Sequence, residues 1–105
     1  MDDIIKKLLI FRDERNWQQF HTPENLAKSI SIEAGELLEC YQWSSKNSNN
    51  NKIKEELADV LIYCLYLAEY YRFDIKTIIS EKILENAKKY PIPQSKNNSK
   101  KYTDF

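Results

Sequence analysis

A chain of 105 residues with one glycine, Gly35, and three prolines has few places at which its backbone can turn tightly. Hairpin turns need positive φ, which glycine supplies at least cost, and a β-rich fold needs many such turns. The shortage directs the chain toward helices joined by a few connections. Charged residues at 30% and hydrophobic residues at 42% fit a globular chain with one core, so one domain is expected. The formal net charge of zero argues against a basic nucleic-acid face and a polybasic membrane patch.

The apolar period supports four helices. The first is predicted over residues 3–15, with Ile4, Ile5, Leu8, Leu9 and Phe11 as its apolar face. Residues 16–21 break that pattern without glycine or proline. Thr22 as cap and Pro23 as first residue begin a second helix, predicted to about Trp43. Residues 44–51, serine- and asparagine-rich, read as a mobile loop. The third helix, about Lys52 to Tyr71, carries Ile53, Leu57, Leu61, Cys64, Leu65 and Ala68 on one stripe. Val60, Ile62 and Leu67 widen that apolar surface, so cover on several sides is needed and a homo-oligomer, dimer or tetramer, is expected. Asp74 caps a fourth helix to Lys89, with Ile75, Ile78, Ile79 and Ile83 inward. Pro91 and Pro93 end it, and residues 92–105 are expected to form an extended tail. The expected architecture is an all-α, four-helix bundle that oligomerises.

Cys40 and Cys64, both in apolar helical surroundings, read as small buried hydrophobes rather than a disulfide. The first residues lack the pattern of a secretory signal, and the longest mostly apolar run, Leu57 to Ala68, is too short to span a bilayer. A cytoplasmic setting without membrane attachment is expected.

Two acidic pairs carry the chemistry: Glu33-x-x-Glu36 on the second helix and Glu56-x-x-Asp59 on the third. Residues three apart share a helix face, so each pair aims two carboxylates at one region. Most such pairs decorate a solvated surface. Glu33 differs, because it falls in the same narrow sector as Leu26, Ile30, Leu37 and Tyr41. An ionised carboxylate there needs a cationic neighbour, since burying it alone costs several kcal/mol. Glu56 and Asp59 share a face with Tyr63, Tyr66 and Tyr70, opposite the aliphatic stripe. Taken alone, that face reads as an amphipathic surface with ordinary tyrosines. If the two helices are antiparallel, the four acids meet, and an oxygen-only set suits Mg2+, with Mn2+ as a substitute. Zinc would want cysteine or histidine, and a Ser-His-Asp or Cys-His nucleophile system is hard to build around the single histidine, His21.

These residues resemble the all-α nucleoside triphosphate pyrophosphohydrolases of the MazG-like superfamily, whose Glu-x-x-Glu and Glu-x-x-Asp helices are matched by Glu33, Glu36, Glu56 and Asp59. Many members carry a further acid where this chain has Ile32. The nearer resemblance is to the dCTP pyrophosphatase branch, carried by residues 11–21, 33–39, 41–43, 56–63 and 100–105. The resemblance implies four metal ligands, Glu33, Glu36, Glu56 and Asp59, with Glu33 or Glu36 as catalytic base. It implies nucleotide contacts at Trp17, His21, Trp43, Tyr63, Asn86 and Tyr102, and phosphate contacts at Lys88, Lys89, Lys100 and Lys101. Each has a plainer reading: tryptophans near helix ends usually pack, and tail lysines are usually solvated.

The expected activity is conversion of a deoxynucleoside triphosphate, dCTP or a modified dCTP, to its monophosphate and pyrophosphate, clearing the nucleotide pool. Alternatives are a dUTP-type or broad-specificity enzyme, or a non-catalytic helical module that binds a partner protein. Nucleic-acid polymers and membranes are not expected partners.

Overall fold

The computed structural model describes residues 1–43 and 50–105, which form helices and turns with no strand among them. Helix α1 spans Asp2–Glu14, α2 Pro23–Glu39, α3 Asn50–Tyr70, α4 Ile75–Lys89 and α5 Ile92–Ser95, with 3-10 turns at Trp17–Phe20 and Tyr102–Asp104. None of these helices is long and apolar enough to cross a membrane. The chain divides into two compact units, Met1–Arg72 and Phe73–Phe105.

The helix starts follow from local chemistry. Thr22 Oγ1 accepts the Asn25 backbone N–H at 3.2 Å, with Pro23 at the first helical position. Asp74 accepts from the Thr77 backbone N–H at 3.0 Å and from its hydroxyl at 2.7 Å. The single glycine serves no turn: Gly35 lies inside α2, and the left-handed positions among the described residues are Asn16, Arg72 and Asn97. Asn16, at φ 53°, makes the break after α1 that lacks glycine and proline. Helix α2 stops at Glu39, short of Trp43, because residues 40–42 bond three residues back and tighten into a turn. The loop expected over 44–51 lies outside the described residues for 44–49, while Asn50 and Asn51 already belong to α3.

In the first unit, α2 and α3 make the dominant pairing. Cys40 lines a cavity with Lys52, Glu36 bonds to Glu56, and Glu33 lies with Asp59. Numbers that fall on one helix as they rise on the other make the pair antiparallel. Leu26 is 1% exposed and anchors α2 in this core. Leu26→Ala is expected to cost about 2–5 kcal/mol in urea unfolding, the range for a fully buried leucine. Helix α1 joins through Tyr66, whose hydroxyl donates to the Leu8 carbonyl at 2.8 Å.

The inward face of α3 departs from the sequence expectation. Glu56 and Tyr66 of the acidic and aromatic side are 6% and 7% exposed, although Tyr70 stays open. Leu57 and Leu61 of the aliphatic stripe are 45% and 53% exposed, and only its end at Ala68 is buried. Among the described residues Cys40 and Cys64 form no disulfide, and both are half-buried rather than fully buried.

In the second unit the expected inward isoleucines are not enclosed: Ile78, Ile79 and Ile83 are all exposed, and Ile75 is half-buried. A single helix with one short companion has too little surface to cover them. The tail is not uniformly extended either. Pro93 sits in the first turn of α5, and Tyr90 packs edge-on to Tyr102 and Phe105, with centroids 5.8 Å apart in each case.

Candidate functional site

The antiparallel register brings the two acidic pairs together. Carboxylate oxygens of Glu33, Glu56 and Asp59 all lie within 4.8 Å of one another. Glu36 hydrogen-bonds to both Glu33 and Glu56, which pushes its pKa up to about 7, the bond and charge of Glu33 acting most strongly. Near pH 7 this carboxyl is therefore close to half protonated, its proton lying between two carboxylates. Glu56 is drawn the other way, below the usual carboxylate range, chiefly by Lys52, whose Nζ lies 2.8 Å from Glu56 Oε1.

Two oxygens in this cluster stay unsatisfied. Glu33 Oε2 and Glu56 Oε2 are buried and find no hydrogen-bond partner among the described residues. Buried acceptors left unpaired are costly, and an ion coordinated by oxygens would satisfy both. The donor set is oxygen-only, clustered and anionic, so the residues present fit a hard divalent cation. Glu33, Glu56 and Asp59 could hold it, with Glu36 beside them.

Next to the acids lies a cavity of about 240 Å³ lined by Leu8, Phe11, Trp17, His21, Asp59, Ile62, Tyr63 and Tyr66. Asp59 belongs to both the cavity wall and the carboxylate cluster, so a ligand seated among the rings reaches the acids. The His21 ring lies 4.7 Å from that of Tyr66, and its Nδ1 is buried and finds no partner among the described residues. Burial, and then the charge of Arg12, lower the His21 pKa, so the imidazole is neutral near pH 7. Tyr63 faces the cluster: burial first, then the charges of Glu33, Asp59 and Glu36, raise its pKa and keep its hydroxyl protonated. Such a pocket offers flat apolar walls, a hydroxyl and an unpaired ring nitrogen, the groups that hold a heterocyclic base.

Of the residues singled out in the sequence, Glu33, Glu36, Glu56, Asp59, Trp17, His21 and Tyr63 come together in the first unit. Trp43 does not line the cavity; it lies in the turn after α2 and is 90% exposed. Asn86, Lys88, Lys89, Lys100, Lys101 and Tyr102 belong to the second unit. There Lys89 Nζ pairs with Glu85 at 3.3 Å and lies 5.1 Å over the Tyr102 ring. The sequence reading put Tyr66 on the acidic and aromatic face without naming it as a contact, and gave no site role to Phe11, which shares the cavity wall with it, or to Lys52. The i,i+4 spacing of Lys52 and Glu56 was a signal for the last.

Residues 28–105 match the MazG-like family. The chain is 35% identical to dCTP pyrophosphatase 1 of Rattus norvegicus over 114 aligned positions, covering all of this chain and 67% of that protein. The human protein of the same name is 34% identical over the same coverage. A crystal structure of a pyrophosphatase from Archaeoglobus fulgidus superposes with a TM-score of 0.81 at 39% identity, covering 87% of this chain and 92% of that one. Helical fold, acid cluster and relatives agree on the class, an all-α nucleoside triphosphate pyrophosphohydrolase. Within that class the chain belongs to the MazG-like family.

Proposed function

We propose that this enzyme converts dCTP, or a dCTP modified on its base, to the monophosphate and pyrophosphate, using Mg2+ held by Glu33, Glu56 and Asp59 with Glu36 completing the set. The observation that carries this reading is the shared Asp59: one residue walls the aromatic cavity and belongs to the carboxylate cluster. A base held among the rings would thus lie one nucleotide's reach from an ion on the acids. The choice of cytosine rests on the named activity of the relatives.

When bound, the ion supplies charge neutralisation at the phosphate oxygens and makes water a better nucleophile. The chain's own groups do the rest. Water oxygen attacks the α-phosphorus, the bond from that phosphorus to the bridging oxygen breaks, and pyrophosphate leaves. Glu36, which would give up its own proton when the ion binds, takes the proton of the attacking water. Its position between Glu33 and Glu56 supports it over Glu33, whose unpaired Oε2 suits a metal ligand. Trp17 and Tyr63 stack on the base, and the neutral His21 offers its unpaired Nδ1 to a donor on the base edge. The family resemblance offers Lys88, Lys89, Lys100 and Lys101 as phosphate contacts and Asn86, Tyr102 and Trp43 as nucleotide contacts.

The enzyme works in the cytoplasm as a dimer or tetramer; the exposed Leu57 and Leu61 of α3 and Ile32 and Leu38 of α2 support association with further copies. A non-catalytic module with solvated acids fits poorly, because Glu56 is 6% exposed.

The test is pyrophosphate release across canonical and modified nucleoside triphosphates, with and without Mg2+. Highest kcat/KM on dCTP or a modified dCTP supports the reading; preference for dUTP or a flat profile overturns the cytosine assignment. No release from any nucleotide overturns the function. Removing one stacking wall should show in the same assay: Tyr63→Ala is expected to raise KM about 10- to 100-fold, the range for one lost base stack.

A further inference from the structure

Lys52 stands one turn before Glu56 on α3 and makes what would ordinarily be a surface i,i+4 ion pair of little consequence. Its partner makes this pair different. The Glu56 side chain is 7% exposed and that of Lys52 53%, so a largely solvated ammonium grips a carboxylate that water hardly reaches. The two oxygens of that carboxylate are used unequally. Oε1 lies 2.8 Å from Lys52 Nζ, while Oε2 is buried and finds no partner among the described residues. The Glu56 carboxylate also receives a hydrogen bond from Glu36, a pull toward the neighbouring pair.

We propose that Lys52 is a positioning residue of the metal centre: by holding Glu56 on Oε1 it fixes the carboxylate plane so that Oε2 faces the ion. The inference rests on the metal reading of the acidic cluster. Carboxylates that ligate metals are themselves held by hydrogen bonds, and loss of the holding group weakens metal binding even though that group never touches the ion. Without Lys52, Glu56 turns freely and its bond to Glu36 competes with coordination. Lys52 borders a second cavity of about 350 Å³, lined also by Glu36, Glu39, Cys40 and Glu56, and does not line the aromatic one. Its effect is therefore on the ion, with no direct contact to the base.

Titration calorimetry of Mg2+ into the full chain, without nucleotide, tests this. Lys52→Met is expected to weaken Mg2+ binding about 10- to 100-fold, the usual effect of removing a group that orients a ligand. Lys52→Arg, which keeps a cationic donor on a long stem, is expected to restore most of the affinity. Equal binding by Lys52→Met overturns the proposal. Tighter binding overturns it too, by making Lys52 a competitor of the ion, and failure of Lys52→Arg to recover affinity does the same. If wild type binds and Lys52→Met binds equally, the metal reading stands and the positioning role falls; if wild type does not bind, both fall. Circular dichroism checks each fold, and Lys52→Gln, held to the same expectations, replaces the methionine variant if that fails to fold.

Discussion

Glu56→Gln is expected to lower kcat/KM for pyrophosphate release by about a thousandfold or more while leaving the helices in place. The ion contributes several kcal/mol at a charged transition state, and each 1.4 kcal/mol is about a factor of ten. Glutamine keeps the size of the side chain but removes its charge, and an amide is a poor ligand for a hard cation beside two carboxylates. The fold survives because the partner left behind, Lys52, has a side chain 53% exposed and returns to water. Steady-state rates with and without Mg2+, together with a thermal melt, separate the two effects. Activity close to wild type would remove Glu56 from the metal set. A collapsed melting transition would mean that the carboxylate is structural.

Glu33 was legible in the sequence because a charge inside an apolar helical sector is a local contradiction. In the structure its Oε2 is buried and unpaired among the described residues. Glu56 was not legible in the same way. It lies opposite the stripe of Ile53, Leu57 and Leu61, where periodicity suggests solvent, yet it is one of the most buried side chains among the described residues. A period reveals that a helix has an apolar face; it does not say which face the same chain covers. Here α1 and α2 cover Glu56 and Tyr66 on the acidic and aromatic side, while Leu57 and Leu61 stay exposed. The aromatic cavity was half legible. Tyr63 and Tyr66 share a face by spacing, but the bond from Tyr66 to the Leu8 carbonyl crosses 58 residues of sequence, and no local pattern encodes that. Helix starts were read well, because Thr22 and Asp74 act on their own next turn. The end of α2 was read too late, since Cys40, Tyr41 and Trp43 continue the apolar pattern and no glycine or proline marks the tightening at residues 40–42.

Mg2+ affinity is expected to fall about tenfold for each pH unit below neutrality and to level off above it, the slope of a one-proton linkage. Without metal, Glu36 titrates at about 7 because Glu33, and then Glu56, stabilise its proton. An ion entering among these oxygens drives that proton out. Calorimetry in buffers of different ionisation enthalpy should therefore count close to one proton released per ion at mildly acidic pH and fewer as pH rises. The same group acts on the metal-free fold with the opposite sign. Its folded pKa lies above the ordinary 4.5, so its stabilising contribution is complete below about 4.5 and is lost as pH rises through about 7. Over that window the metal-free protein loses this contribution, while the stabilisation gained on adding Mg2+ grows. Melting curves at several pH values, with Mg2+ and with a chelator, should therefore diverge as pH increases. Curves that stay parallel across the window would show that no shared proton leaves the acids on metal binding, and the base assigned to Glu36 would lose its physical support.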